Sequence, residues 1–517
     1  MNFTKLSLRL RGTASSKSSL SGKRPAARRR TPSQRNLHFD LFAHLTYMAS
    51  VATAGVSRSE LFELAAELPY ASSRYFREIH ILARKMNMDY AEACTVVAGR
   101  AKSREVGALL LRMAGSLSSG EHEVEFLRRE AQVIGESFTN GYERDVEALK
   151  KWGDAYVTLL VASGMIVIVA VISMMIYQIG VIFIIGLALL MVFATVLGSW
   201  ILYISAPREI KTLVRGPRSR LQLLGYKLFK YSAPLAMVVG SIFVLLGFDL
   251  GVAMIVSGII ILPAGYIIER DDKNISRKDA DIASVVRVLG GVTAAVGTTL
   301  TEALSNIDRR SMGALMPEVT RLRLRLASGI TPDLCWHRLV DETGSELIDR
   351  TVQIFYKSIS MGGEPGRVAS ASAFYASQIA FLRAKRSMVS STFSYLIFPM
   401  HVAMVGLLEF IVKIMDLFSV SVKDSQAALS DNSDLAGQYS VAELFTFGQV
   451  NLLLVDTLVT TVVLVLTCVN ALAPKATAGG GNLKIAYNLA VMMIISGALM
   501  IGVPWSAGSI FSSILSS

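Results

Sequence analysis

The chain has 517 residues, of which 52% are hydrophobic and only 18% charged. This balance excludes an ordinary soluble globular protein and predicts a membrane protein that also carries soluble domains. The formal net charge is +12, and residues 1–36 supply ten Lys and Arg with no Asp or Glu. We expect this tail to be disordered and to lie on an anionic surface. The alternative is a nucleic-acid-binding arm, but no base-reading module follows it, so we predict no nucleic-acid partner.

Residues 37–152 are charged enough to be soluble and carry a helical pattern. One stripe of apolar side chains at spacing i, i+3, i+4, i+7 and i+11 consists of Val106, Leu109, Leu110, Met113 and Leu117. This spacing is typical of an amphipathic helix. The stripe stops at a turn containing Gly120 and Glu121, where glycine suits a left-handed helix cap. We predict a helical domain here.

Residues 153–268 contain four apolar runs arranged as two hairpins. A helix of about 20 residues crosses a hydrocarbon core of about 30 Å, and residues 157–177 and 181–204 satisfy that length. Residues 231–248 and 250–268 form the second and less certain pair. The loop between the hairpins, residues 206–230, carries seven Lys and Arg against the single acid Glu209. The positive-inside rule therefore places this loop in the cytoplasm.

Residues 269–387 repeat the pattern of the first helical domain. A shift of 242 places Gly55 on Gly297 and Glu60 on Glu302, and it places four of the five stripe residues on apolar ones. The second copy also ends at a glycine turn, which contains Glu364. We therefore predict a second, related helical domain, since matching helix faces constrain a fold more than single identities do.

Three further spans are predicted within residues 388–506, at 390–414, 450–472 and 485–503. The acidic loop at 415–447 falls outside the cell, followed by an external tail at 507–517, with the N-terminus cytoplasmic and the C-terminus external. The predicted fold class is all-α: a polytopic protein of the cell membrane with about seven transmembrane helices and two homologous cytoplasmic helical bundles.

The strings that carry this repeat resemble a known family. "SVATAGVSRSELFELAA", "YAEAC" and "LLLRMAGSLSSGEHEVEFLRREA" in the first copy, and "TAAVGTTLTEAL", "TPDLCW" and "IFYKSISMGGEPGRVA" in the second, resemble the F domain of type II secretion and type IV pilus platform proteins. The extra spans and basic front end are most similar to the archaeal branch, above all to the platform of the archaellum, the archaeal flagellum. Platforms of archaeal adhesive pili or secretion systems share this layout and stay open as alternatives.

The resemblance implies a membrane platform at the base of a filament. A cytoplasmic hexameric ATPase would dock on it and drive pilin-like subunits, here archaellins, out of the lipid bilayer into the filament. The family also implies a homodimer. On this interpretation the chain is not an enzyme, because a separate ATPase supplies the energy.

Motif searches agree with that expectation. The sequence contains no GxxxxGK[ST], GxSxG, HExxH or DxDxDG string, and its three cysteines and six histidines lack ligand spacing. We predict no catalytic residue, no cofactor and no metal site. A secondary transporter is less favoured because the repeat lies mostly outside the spans, and a membrane enzyme because no cluster of His, Asp or Ser lies near a bilayer face.

Two sets of charged residues are candidates for function. For ATPase docking they are exposed charges on the helical domains, although a solvated face or helix capping explains them too: Arg309, Arg310, Arg321, Arg323, Arg325, Glu121 and Glu364. Inside the spans, Glu409 and Lys413 are four residues apart and can pair, or reach the interface. Asp456 lies deeper and could partner Lys413 or line a polar track for the emerging subunit.

Overall fold

The computed structural model describes residues 34–176, 181–207, 209–213, 219–430 and 452–515. Within these ranges the chain is helical and contains no strand beyond one isolated bridge between Thr212 and Ser345. The first six helices are α1 (Gln34–Ala52), α2 (Arg58–Glu67), α3 (Ser73–Lys85), α4 (Tyr90–Arg100), α5 (Arg104–Ser119) and α6 (Glu123–Ile176). Helices α1–α5 and the first part of α6 form a unit that we call the first bundle.

The core of the first bundle is built around α1. Phe42, Leu45 and Met48 of this helix are buried, and helix α6 approaches α1 closely at Gly135, where a Cβ atom would lie 2.7 Å from the Phe42 ring. Burial of such side chains is the main stabilising contribution to a helical bundle.

The next two helices are α7 (Val181–Ser205) and α8 (Arg220–Leu245). The chain continues with α9 (Leu250–Val296), α10 (Leu300–Asn306), a 3-10 helix (Arg309–Leu315), α11 (Met316–Ala327), α12 (Pro332–Thr343), α13 (Glu346–Ser360), α14 (Pro365–Ser430), α15 (Leu452–Ala478), a short 3-10 turn (Asn482–Lys484) and α16 (Ile485–Leu515). The second half of α9, helices α10–α13 and the first part of α14 share a second apolar core. We call this unit the second bundle.

The two bundles follow one plan at the predicted shift of 242. Helices α2, α4, α5 and α6 begin at positions 58, 90, 104 and 123, and helices α10, α12, α13 and α14 begin 242 residues later, at 300, 332, 346 and 365. The Ser57 and Thr299 side chains cap α2 and α10 by accepting from the backbone N–H groups of Glu60 and Glu302. Gly55 and Gly297, which follow α1 and α9, have φ angles of +69° and +67°, a conformation that favours glycine.

Seven helices of the described chain are long and apolar enough to cross a membrane: α6, α7, α8, α9, α14, α15 and α16. This confirms the predicted all-α polytopic fold and its number of spans. The chain is a multi-pass membrane protein. Helices α9 and α16 approach each other through glycines spaced seven residues apart, at Gly251, Gly258 and Gly265, as membrane helices commonly do.

Three predicted limits between bundle and membrane, at residues 152, 268 and 387, fall inside single helices. A helix satisfies its own backbone hydrogen bonds in water and in lipid, so a change of hydropathy does not end it.

Helix α1 begins at Gln34, inside the predicted tail 1–36, and residues 1–33 lie outside the described residues. Helix α14 continues to Ser430, into the predicted loop 415–447, because no Gly or Pro interrupts residues 415–430. Residues 431–447 are outside the description, and α16 extends to Leu515, into the predicted tail.

Candidate functional site

The predicted docking arginines differ in their surroundings within the second bundle. Arg310 is exposed in the 3-10 helix, whose Ala314 N–H donates to Asp281 of α9 at 2.7 Å. Arg323 lies on α11 beside Thr299, beyond the end of α9. Arg323 also lines a small pocket together with Met312, so it lies next to the 3-10 helix that carries Arg310. The structure describes Arg309 by its backbone only.

Two arginines of α11 are engaged within the second bundle. Arg321 binds Glu342 of α12 at 2.8 Å and Glu318 at 3.1 Å. Arg325 binds the other oxygen of Glu342. Burial alone would raise the pKa of Glu342, but the hydrogen bonds from the two arginines outweigh it and lower this pKa. Arg321 and Arg325 therefore join α11 to α12, and Glu342 neutralises much of their positive charge.

Arg323 borders an open groove at the end of the second bundle. The groove has a volume of about 350 Å³ and is lined by Thr299, Thr301, Glu302, Ser305, Arg323, Leu324 and Ala327. Arg310 and Arg323 make no ion pair with any described residue. Among the predicted arginines whose side chains the structure describes, these two have no internal counter-charge.

The two predicted acidic turns have different neighbours. Glu121 forms an ion pair with Arg129 in the first bundle. Glu364 binds Arg367 at 2.8 Å, and its backbone N–H donates to the Thr53 hydroxyl of the first bundle at 3.2 Å. Gly120 and Gly362 have φ angles of +71° and +94°, so helix capping accounts for both glycines. The second turn also touches the first bundle through Thr53.

The predicted pairing of Glu409 with Lys413 does not form. Lys413 instead donates to Asp416 at 2.8 Å, one helical turn towards the end of α14. Glu409 is buried among the helices, and its Oε1 has no hydrogen-bond partner among the described residues. Asp456 is exposed on α15 and does not partner Lys413. The physical reason is rotamer geometry: a lysine near a helix end reaches towards water, away from the more deeply placed carboxylate.

Sequence reasoning missed a buried polar network that joins four membrane helices. His401 of α14 contacts Ser496 of α16 at 2.8 Å and Asn470 of α15 at 3.0 Å. Tyr156 of α6 donates to Asn470 at 2.7 Å, and Thr467 contacts Ser496 at 2.7 Å. A lone histidine in the apolar run 390–414 was the available signal, because polar groups in lipid need internal partners.

A second missed cluster joins the two bundles. The Arg350 guanidinium of α13 lies 2.8 Å from Asp40 of α1 and is itself buried. It stacks over the rings of Phe39 and Tyr70 at 4.2 and 4.7 Å. Because the charge is paired and also covered by aromatic rings, it fixes the relative position of the bundles.

A third cluster lies where the second bundle meets the membrane helices. Arg383 of α14 binds Glu209, in the segment after α7, and Asp279 of α9, the latter at 2.5 Å. The Asp279 carboxylate also accepts from Ser345, which caps α13. Tyr142 of α6 donates to Glu209 at 3.0 Å. We call this cluster the Arg383 junction; it connects α6, α9, α13 and α14 through one guanidinium.

Neighbouring charges extend the Arg383 junction to the last two helices. Arg386 is buried and donates to the backbone carbonyls of Pro207, Ala476 and Thr477, so it caps the end of α15. Lys484 binds Asp272 of α9 at 3.0 Å. Sequence reasoning could not find these residues, since a single Arg or Lys beside a span is the common pattern of any membrane protein.

The described residues include no group of three or more His, Cys, Asp or Glu side chains that could hold a metal ion. Cys94 and Cys335 are buried free thiols, and Cys468 is an exposed one.

Comparison with known proteins gives two matches of moderate similarity. The chain is 25% identical over 361 residues to "Flagella accessory protein J" of Methanocaldococcus jannaschii, which covers 65% of this chain and 63% of that protein. It is 23% identical over 336 residues to "Flagella accessory protein J" of Methanococcus voltae, covering 61% of this chain and 57% of that protein. Each match thus spans less than two thirds of the relative. No family model and no solved structure matches the chain. The two matches confirm the resemblance that the sequence predicted.

Proposed function

We propose that this multi-pass membrane protein is the platform of an archaellum, the membrane component on which the filament is assembled. The observation that carries the proposal is the duplicated bundle whose last helix runs unbroken into the membrane, together with the similarity to two flagella accessory proteins. On this proposal a cytoplasmic hexameric ATPase docks on the bundles, and pilin-like archaellins pass from the bilayer into the filament. We also expect a homodimer.

The continuous helices suit the transfer of movement. Helices α6 and α14 contain 54 and 66 residues, or about 80 and 100 Å at 1.5 Å per residue. A bilayer core of about 30 Å takes up less than half of either length. A displacement of either bundle would therefore move a membrane helix directly, without a flexible linker between them.

The internal contacts would spread that displacement. Arg350 fixes the second bundle to the first, and the Arg383 junction fixes it to α6 and α9. A rotation of the second bundle would thus move several membrane helices together. The second bundle is accordingly our proposed docking domain for the ATPase.

Within that domain we propose Arg310 and Arg323 as the docking charges. Both lack an internal counter-charge among the described residues, and Arg323 borders the open groove at the end of the bundle. Arg321 and Arg325 are poorer candidates because Glu342 already neutralises them. Replacing those two would also leave Glu342 unpaired, so loss of binding would not report on docking alone.

The proposed orientation places both bundles and the N-terminus in the cytoplasm, and the C-terminus outside. Basic residues of α8 on the side of the bundles, at Arg220, Lys227 and Lys230, support it. The platform of an archaeal adhesive pilus is the alternative that the experiment below must separate.

The test combines gene deletion in the host with charge reversal. Deletion should remove archaella while adhesive pili persist, as seen by electron microscopy, and wild type should restore swimming. The Arg310→Glu, Arg323→Glu double variant should reach normal membrane levels but bind the purified ATPase on the order of tenfold more weakly, because like charges would face each other.

Arg128→Glu is the matched control, since Arg128 is an exposed arginine of the first bundle that pairs with Glu125. Binding by this control should be unchanged. Loss of pili with intact archaella would favour the adhesive alternative. Equal ATPase binding by the double variant and wild type would remove these two arginines from the docking surface.

A further inference from the structure

Helix α8 packs against α9 through a stripe of small residues. Gly225, Ser232, Ala236 and Gly240 recur on one side of the helix, and the first three are buried. Ser257 of α9 donates to the Ala236 carbonyl at 3.1 Å, and a Cβ atom at Gly240 would lie 2.6 Å from the Ser257 hydroxyl. Since membrane helices approach one another through small residues, the face of α8 that suits a protein partner is already occupied by α9.

The opposite face of α8 is bulky and apolar. Leu235, Met237, Val238, Ile242 and Leu245 are all exposed. Large branched side chains without a small-residue groove fit lipid acyl chains better than a second helix. Lipid is therefore the natural cover of this face.

Three basic residues stand on the outward face at the end nearest the bundles. Arg220, Lys227 and Lys230 fall within about 80° of one another at 100° per residue. All three are exposed, no acid occurs in α8, and none of them forms an ion pair with a described residue. This part of the surface has positive charge without an internal counter-charge.

The neighbouring acids of α9 are already engaged. Glu269 binds Lys273 and Lys484, and Asp272 binds Lys211 and Lys484. The third acid, Asp271, accepts from the Ser219 hydroxyl at 3.2 Å. An anion for α8 must therefore come from outside the described chain.

Aromatic residues mark the depth of this surface. Tyr231 of α8 and Tyr266 of α9 are 71% and 57% exposed. Exposed tyrosines collect at the headgroup level of a bilayer, where the ring is apolar and the hydroxyl is hydrated. Lys227 and Tyr231 are about 6 Å apart along α8, and Arg220 lies about 10 Å beyond Lys227 on the side of the bundles. The two lysines and the tyrosines thus lie at the headgroup level, and Arg220 lies on the bundle side of it.

We propose that Arg220, Lys227 and Lys230, together with Tyr231 and Tyr266, form a binding surface for anionic lipid headgroups, which we call the α8 lipid surface. The bases would bind the phosphates of more than one headgroup, since Arg220 and Lys230 are about 15 Å apart along α8, while the apolar outward face of α8 contacts the acyl chains. This inference is separate from ATPase docking and uses no residue of the docking surface.

The test is native mass spectrometry of the full chain from nanodiscs that contain equal amounts of phosphatidylglycerol and phosphatidylcholine. Wild type should retain phosphatidylglycerol preferentially. In the Arg220→Gln, Lys227→Gln, Lys230→Gln variant, affinity for phosphatidylglycerol should fall up to about 100-fold, because each base contributes roughly one factor of five near an anionic surface. The matched control is Arg84→Gln, Lys85→Gln, Arg100→Gln, three exposed bases of the first bundle, which should retain lipid as wild type does.

A conservative variant guards against misfolding: Arg220→Lys, Lys227→Arg, Lys230→Arg should keep the preference, since it keeps the charges. Three results would overturn the proposal. The first is equal lipid retention by the glutamine variant and the control. The second is displacement of the lipid by free glycerol phosphate at the same concentration. The third is a glutamine variant that retains lipid as wild type does but has a different number of protein copies in the complex, which would make this face a contact between copies. Because no ATPase is present, these results do not bear on docking.

Discussion

The two bundles share a helix plan but differ in how they are attached. At the shift of 242, Arg350 and Arg383 of the second bundle correspond to Ala108 and Gly141 of the first, and Asp279 corresponds to Leu37. The apolar helix faces and the caps of α2 and α10 are kept in both copies, whereas the buried Arg350 and the largely buried Arg383 occur only in the second. The difference teaches that a repeated fold needs only the common apolar pattern. The attachment of the second bundle combines apolar contacts, such as Leu347 and Tyr375 in the core of the first bundle, with a few buried charges that need not be repeated.

Of the changes considered, loss of the Arg383 side chain should lower the stability of the protein most. In Arg383→Ala, Glu209 and Asp279 would lose their guanidinium partner in a nearly buried setting, at a cost of about 3–5 kcal/mol. Thermal unfolding of the full chain in nanodiscs would measure it. The first bundle should keep its protection from hydrogen exchange while α13 and the nearby part of α14 lose theirs.

Lys385→Ala is the matched control for that loss. Lys385 lies two residues further along α14 and binds Glu143 at 3.0 Å, with both side chains about one third exposed. An ion pair of that kind contributes about 0–1 kcal/mol. If the two variants were equally stable, the Arg383 junction would not anchor the second bundle.

Low pH should destabilise the first bundle more than the second, the reverse of the effect of Arg383→Ala. His44 of α1 is fully buried, and burial lowers its pKa to about 3; the corresponding residue in α9 is Val286. Since the unfolded histidine has a pKa near 6.5, it binds a proton below that pH while the folded one does not. The stability of the first bundle is therefore complete above pH 6.5 and falls as the pH drops below it, by about 2 kcal/mol between pH 7.5 and 5.

Hydrogen exchange of α1 and α9 as a function of pH would measure this difference. In His44→Gln the additional loss of α1 protection between pH 6.5 and 5 should disappear, because glutamine does not titrate. A wild-type chain in which α1 and α9 lose protection in parallel would contradict the assignment to His44.

The smallest expected effect concerns the N-terminal helix caps Ser57 and Thr299, which occupy equivalent positions in the two bundles. Ser57→Ala and Thr299→Ala should each destabilise their helix by about 1 kcal/mol, because each removes a side-chain acceptor from an N-terminal amide. Ser103→Ala is the control, since Ser103 precedes α5 but makes no side-chain cap hydrogen bond. Hydrogen exchange of α2, α10 and α5 would compare the three, and unequal effects at Ser57 and Thr299 would show that the caps are not equivalent.

Much of the architecture could be predicted because it depends on patterns that are local in sequence. The stripe from Val106 to Leu117 identified α5, and the same stripe moved by 242 identified α13. Helix ends were harder, because charge at residues 416–430 suggested a loop while the backbone continues as a helix. Among the candidate site residues, the sequence found charged positions but could not tell Arg323 from Arg325, since Glu342 is 17 residues away from the latter.

The sequence by itself determined the class of the protein, its spans, its repeat and its resemblance to filament platforms, because burial in lipid and helix amphipathicity act on neighbouring residues. Only the tertiary structure decided which charges are neutralised, which helices the polar network of His401 joins, and that Arg350 and Arg383 fix the second bundle. Such contacts link residues far apart in the chain, such as Asp40 with Arg350 and Glu209 with Arg383. Their partners depend on how the helices are packed, which no local pattern of one sequence records.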